Sequence, residues 1–296
     1  MRIIMSLTAI AALASVLAQP ATAGESPFGW IYTTDTHPKG KKEFEQWIET
    51  QRGQSQGDYT NTLLRSEFEY GVSDNYQIAL YYNQRYVNAY RNGIDGTTGG
   101  PDVDAPSGFD PMSRYSKFRF ESVSMENLYR LSNPYTDPIG MAIYFEPSIG
   151  PRGWELESKF ILQKNFLDDR LIWATNLNVS VERTKSATGE VERATPVDVL
   201  TGLSYRFRNN WSAGMEARNH REFTGYGFGQ PDHSAWFIGP NVHYATKAWW
   251  VTGAWRSQLK QASGFTDEQR AVIQNGRIYG GEHARNEFMV KVGVPF

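Results

Sequence analysis

The side chains with an aptitude for chemistry in this sequence are five histidines, 32 acids and 30 bases; cysteine is absent. His220 stands two residues before Glu222, and His243 sits in an alternating stretch further along. A histidine beside a carboxylate is part of a Ser-His or Asp-His hydrolytic constellation, in which the imidazole takes a proton from a nucleophile. Neither histidine has a serine at a recognisable spacing, so both read as hydrogen-bonding groups of a lumen or rim. Lipid or peptide hydrolysis stays as the lesser alternative, to be tested by neutral substitution of His220 in a lipid A or phospholipid hydrolysis assay. The stretch "NGIDGTTGGPDVDAPSGFDP" carries Asp95, Asp102, Asp104 and Asp110. Such oxygens can hold Ca²⁺, but their spacing does not match the calcium-loop pattern, and a solvated loop is the expectation. These motifs call for no metal and no cofactor.

The other charges matter for where they fall. Glu67, Glu69, Glu121, Glu126, Glu146, Glu155, Glu157, Glu182, Asp198 and Glu216 occupy polar positions of alternating stretches. So do Arg65, Arg85, Arg119, Lys159, Arg206, Arg208, Arg218 and Lys291. If the apolar positions meet lipid, these residues line an interior. Opposed acidic and basic walls would orient small polar solutes in a water-filled pore. Alternatively the same charges pair across a narrow lumen and fill it, because buried charge is tolerated when it is paired. Both readings stay open at this point.

The elements that must position these residues are strands. Leu171, Trp173, Leu177, Val179 and Val181 alternate with Asn176, Asn178, Ser180 and Glu182, and Trp154, Leu156, Phe160 and Leu162 with Glu155, Glu157, Lys159 and Gln163. Period two marks strands with one apolar and one polar face. The segments are 41–51, 59–70, 76–89, 117–131, 139–146, 153–166, 170–183, 196–208, 211–222, 235–245, 248–260 and 285–296. Several are long enough to cross a bilayer at a tilt. The expected fold is all-β: a transmembrane antiparallel up-and-down β-barrel of about twelve strands, with ten and fourteen left open. Faces are mixed in 41–51, where Trp47 lies with Glu45 and Glu49, and a phase slip between Phe120 and Val123 reads as a bulge.

Short connections, such as 71–75, 133–138, 167–170, 208–210 and 245–247, alternate with longer ones at 52–58, 91–115, 184–195, 223–234 and 261–284. Outer-membrane barrels keep short turns in the periplasm and long loops outside. The connection 147–152 is short for an outer loop. A helix capped by Thr266 is expected at "TDEQRAVIQN", folded over or into the mouth. Trp211, Trp236, Trp249, Trp250 and Trp255 read as interface anchors at strand ends or on lipid-facing positions.

Residues 1–23 read as a secretory signal peptide, with Arg2, an apolar stretch and Ala21-Thr22-Ala23 before Gly24. No later apolar run is long enough for a spanning helix. A mean hydropathy of −0.53 beside 9 Trp and 16 Tyr suits strands that face water on one side and carry aromatics at the interfaces. The formal charge of −2 argues against a nucleic-acid partner. The domains expected are the signal peptide, a periplasmic segment 24–40 whose Pro27, Pro38 and Gly40 oppose regular structure, and the barrel 41–296.

The closing "FMVKVGVPF", with Phe288, Val290, Val292, Val294 and Phe296 at alternate positions, resembles the C-terminal assembly signal of Gram-negative outer-membrane β-barrel proteins. "TDTHPKGKKEFEQW" (34–47), "FEYGVSDNYQIAL" (68–80), "NPYTDPIGMAIYFEP" (133–147) and "LQKNFLDDRLIWATN" (162–176) resemble a group of uncharacterised proteobacterial barrels, some described as transporter-like in aromatic-compound degradation. The resemblance implies the outer membrane of a Gram-negative bacterium, with lipid and the barrel-assembly machinery as partners, and no established substrate. The functional expectation is a non-enzymatic passive channel or transporter for small solutes. The alternative is a closed structural barrel with a salt-bridged lumen and partner-binding outer loops.

Overall fold

The structure, a computed structural model, describes residues 26–90, 109–110, 113–185, 189–280 and 283–296. The signal stretch 1–23 and Asp95, Asp102 and Asp104 lie outside the described residues. Twelve antiparallel strands form a closed barrel. They are β1 (Lys42–Arg52), β2 (Asp58–Ser73), β3 (Tyr76–Tyr90), β4 (Arg114–Ser132), β5 (Gly140–Gly150) and β6 (Gly153–Phe166), followed by β7 (Leu171–Lys185), β8 (Val191–Arg208), β9 (Trp211–Thr224), β10 (Pro231–Ala245), β11 (Trp250–Gln258) and β12 (Asn286–Pro295). Each strand pairs with its neighbour in sequence. β12 then pairs with β1, from Glu43 opposite Pro295 to Arg52 opposite Asn286. Closure leaves no unpaired edge, the condition for strands in a bilayer.

Alternation sets the two faces. Along β12, Phe288, Val290, Val292 and Val294 point outward and are exposed, while Glu287, Met289 and Lys291 are buried inside. Aromatic pairs mark both ends of the outer surface: Trp211 and Tyr244 at 4.7 Å and Tyr244 and Trp249 at 5.3 Å near the short turns, and Trp154 and Tyr226 at 6.0 Å near the longer loops. The bulge expected in the fourth strand falls at Glu121: Asn83 faces Ser122 while Gln84 faces Phe120. The connection expected to be short for an outer loop is a tight hairpin at Pro151 and Arg152.

Two tryptophans depart from the outward placement. Trp47 turns inward and donates to Glu45, which accounts for the mixed faces of β1. Trp250, expected as an interface anchor, is 1% exposed inside the barrel and donates to Glu43. Gly293 makes this possible, because a Cβ there would lie 2.3 Å from the indole. The indole trades an interface position for a buried hydrogen bond, which a Trp N–H needs once it leaves water.

Candidate functional site

The lumen is where the charged side chains meet. Glu67, Glu69, Glu126, Glu146, Glu216, Lys159 and Lys291 are buried; Glu121, Glu155, Glu157, Glu182, Asp198, Arg65, Arg85, Arg119, Arg206 and Arg218 are half-buried. Arg208 is exposed, and with Arg206 it sits at the short-turn end of β8, away from Arg218. Charges of opposite sign are brought together within each neighbourhood. Arg65 lies 3.5 Å from Glu146 and over the Tyr81 ring at 4.4 Å. Lys159 bonds Glu157 at 2.7 Å and lies over Tyr144 at 3.6 Å. Arg119 bonds Glu121 at 2.9 Å, with Arg85 at 3.7 Å, and Asp198 takes two bonds from Arg218. Tyr81 donates to Glu126 and Tyr144 to Glu146. A bidentate guanidinium and buried phenols are the partners that let carboxylates stay inside. Arg256 and Glu43, passed over in the sequence, belong to the same lining: Arg256 pairs with Glu287 and stacks on Trp30 at 4.0 Å.

Trp30 comes from the segment ahead of β1, and that segment occupies the lumen. Phe28 and Ile31 are fully buried against Ala174 and Leu200, and Tyr32 packs on Leu128, Ala142, Tyr144 and Ile161. Its backbone is bonded by wall side chains. Glu216 accepts from Gly29 N at 2.6 Å and Trp30 N at 2.9 Å. Asn176 accepts from Tyr32 N at 2.7 Å and donates to Tyr32 O at 2.8 Å, standing in for a strand neighbour. Gln163 accepts from Thr34 N at 2.7 Å, and Gln77 from His37 N at 2.9 Å. These wall residues all lie in the short-turn halves of β9, β7, β6 and β3. Gly202 leaves room for the segment, since a Cβ there would meet Ile31 at 2.7 Å and Phe28 at 3.0 Å. Thus residues 28–37 run inside the wall without regular structure, and their backbone polar groups find side chains where water would otherwise serve.

The other end is covered from β11 to β12. Helix α1 (Asp267–Ala271) is capped as expected: Thr266 accepts from Gln269 N. Beyond it, Ile278 packs on Ala235 and Phe237. Gln258 accepts from Ile278 N at 2.7 Å and donates to Ile278 O at 2.9 Å. Gln54 accepts from Gly280 N at 2.9 Å and donates to His283 O at 2.8 Å. Ala284 packs with Tyr59, Val87, Ala89 and Tyr115. The loop therefore folds into the mouth.

Burial also tunes groups on these two inserts. Burial, reinforced by Glu126 and Glu67, pushes the Tyr32 phenol well above its ordinary value. Burial likewise raises the Asp35 carboxyl, against the pull of Arg130. Burial holds the His283 imidazole well below its usual range.

A closed twelve-strand antiparallel barrel with an apolar outer belt and a polar lining is the fold of outer-membrane β-barrel proteins. The chain belongs to the family of unknown function DUF6662, whose pattern matches residues 20–296. No curated protein matches its sequence. Among solved structures, it is similar in fold to the COG4313 outer membrane channel from Pseudomonas putida F1, with 8% identity over 89% of this chain and 98% of the other, at a TM-score of 0.57. The NanC porin has 10% identity over 85% of this chain and 98% of the other, at 0.51. The translocator domain of autotransporter NalP from Neisseria meningitidis has 11% identity over 89% and 90%, at 0.50.

Proposed function

We propose that this protein is an outer-membrane channel for small polar solutes whose pathway is stopped by its own N-terminal segment and opens when that segment leaves. One observation carries the reading: residues 28–37 are held by wall side chains and not by strand pairing. The segment can therefore unseat without breaking the barrel. Its departure would bare Glu216, Asn176, Gln163 and Gln77, a polar lining wetted as in open barrels. The names channel and porin borne by two similar folds agree with this reading. The exposed apolar residues of β12 would both meet lipid and present the terminal assembly signal.

The test is conductance in planar bilayers. The full chain is expected to be mostly silent and a variant lacking residues 26–37 to conduct in steps. Silence of that variant at high loading would favour the closed structural barrel, which the Arg256–Glu287 and Asp198–Arg218 pairs support. Hydrolysis would need a nucleophile at His220 Nε2, and that atom has no hydrogen-bond partner among the described residues.

A further inference from the structure

Three of the five histidines meet at the loop end of the barrel, although they are far apart in sequence. His220 comes from the outer end of β9, His233 from the start of β10 and His283 from the loop before β12. Their ring centroids are 4.6, 4.9 and 5.4 Å apart, and one nitrogen from each lies within 4.8 Å of the others. All three are at least 95% buried: 1%, 5% and 4% exposed in chain order.

The outward nitrogens are already oriented. His233 Nδ1 is 2.9 Å from Asp232, and His220 Nδ1 lies 3.0 Å from Asp198 and 2.9 Å from the Arg218 guanidinium that holds that carboxylate. For His233 the carboxylate behind Nδ1 fixes the tautomer that offers Nε2 as a lone pair, the arrangement found behind metal-bound histidines. The inner nitrogens lack ordinary partners. His220 Nε2 is buried with no hydrogen bond, and His233 Nε2 and His283 Nε2 face each other at 2.5 Å; the second His283 nitrogen, Nδ1, is also buried with no hydrogen bond. Leaving such atoms unpaired away from water is costly. Glu222 adds a carboxylate 3.9 Å from His220 Nε2.

We propose that His220, His233 and His283 bind one divalent transition-metal ion of the kind that prefers imidazole, such as Zn²⁺, through their converging nitrogens. Around an ion with metal–nitrogen bonds of about 2.0–2.1 Å the two facing Nε2 atoms separate to roughly 3.3 Å, a shift of under about 1 Å. Asp198, Asp232 and Glu222 against the single guanidinium of Arg218 leave two negative charges to meet a dication. Imidazole ligands and the absence of thiolates favour Zn²⁺, Ni²⁺ or Cu²⁺ over Ca²⁺ or Mg²⁺. One rival group, His37, Glu43 and Glu69, is already satisfied, because His37 faces Glu69 and Trp250 donates to Glu43. A bound ion would tie β9, β10 and the outer loop together, whether or not the barrel conducts.

The test uses the full chain, purified in detergent without a histidine tag and stripped with EDTA. Titration with Co²⁺, read by its ligand-field absorption, is expected to saturate at one equivalent, and Zn²⁺ to displace it. His283→Ala is expected to abolish the signal, and Asp232→Asn to weaken affinity by about 10–100-fold. His37→Ala is expected to keep it. Heat-modifiable gel migration reports that each variant is a folded barrel; if His283→Ala is not, His283→Gln takes its place. Absence of saturable binding, binding that survives loss of the His283 imidazole in a folded barrel, or loss in His37→Ala would each overturn the site.

Discussion

Residues 28–37 fill the lumen and residues 259–280 with 283–285 cover its other end, yet the two inserts are attached in different ways. The first is joined to the wall at one end, where Gly40 N donates to Gly71 O and Gly71 N to Lys41 O. The second is anchored at both ends by β11 and β12. Both borrow side-chain amides as backbone partners, Asn176 and Gln163 in one case and Gln258 and Gln54 in the other. Equal bonding with unequal tethering makes the N-terminal segment the insert that the proposed opening would release. Among the described residues the first insert is continuous with one strand and the second with two, and a segment held at one end regains more conformational freedom on release than a loop pinned at both ends.

The largest expected effect is removal of residues 26–37, which should turn rare openings into sustained steps of conductance while the outer loop stays in place. Next comes Asn176→Ala combined with Gln163→Ala. Each buried backbone group left unpaired costs about 1–3 kcal/mol, so the open fraction should rise by on the order of tenfold or more. Conductance of the full-length variant measures it. Gln258→Ala removes the same kind of bond from the outer loop and should change conductance much less, because both ends still hold it. Faster hydrogen exchange at the Ile278 amide would reveal the loosening. If Gln258→Ala opened the pore as strongly as the Asn176 and Gln163 pair, the contrast between the two inserts would be wrong.

The smallest effect concerns Asp35. Its seated carboxyl is raised above the ordinary value of 3.8 by burial, so seating favours the protonated form. This contribution to seating is fully present below the released value and is lost as pH rises through the seated one. Open fraction should therefore increase with pH across the range above 3.8, and Asp35→Asn should flatten that part of the profile. An Asp35→Asn profile identical to that of the unmodified protein would remove Asp35 from the account.

The barrel was legible because lipid and water impose period two on every strand, so that even the bulge at Glu121 shows as a slip of phase. Period two tells which way a side chain points, and not what it meets. Gln163 and Asn176 read as ordinary polar lumen positions, although their partners lie 129 and 144 residues away in sequence. The run of Phe28, Trp30, Ile31 and Tyr32 was the available signal for the insert; Pro27, Pro38 and Gly40 drew attention to irregularity instead. The histidine cluster was hidden for the same reason, since His220 and His283 are joined only by the way the outer loop folds back. Trp250 was misplaced because an indole near a strand end usually marks the interface, and only Gly293 on the next strand creates its pocket.

The seat of the N-terminal segment also sets an order in time. Glu216 lies 187 residues beyond the Gly29 amide that it accepts, and Asn176 and Gln163 come from strands made long after the segment itself. The seat is complete only once β3, β6, β7 and β9 stand around one lumen. The first residues of the described chain to emerge therefore cannot be fully seated until strands made much later stand around them.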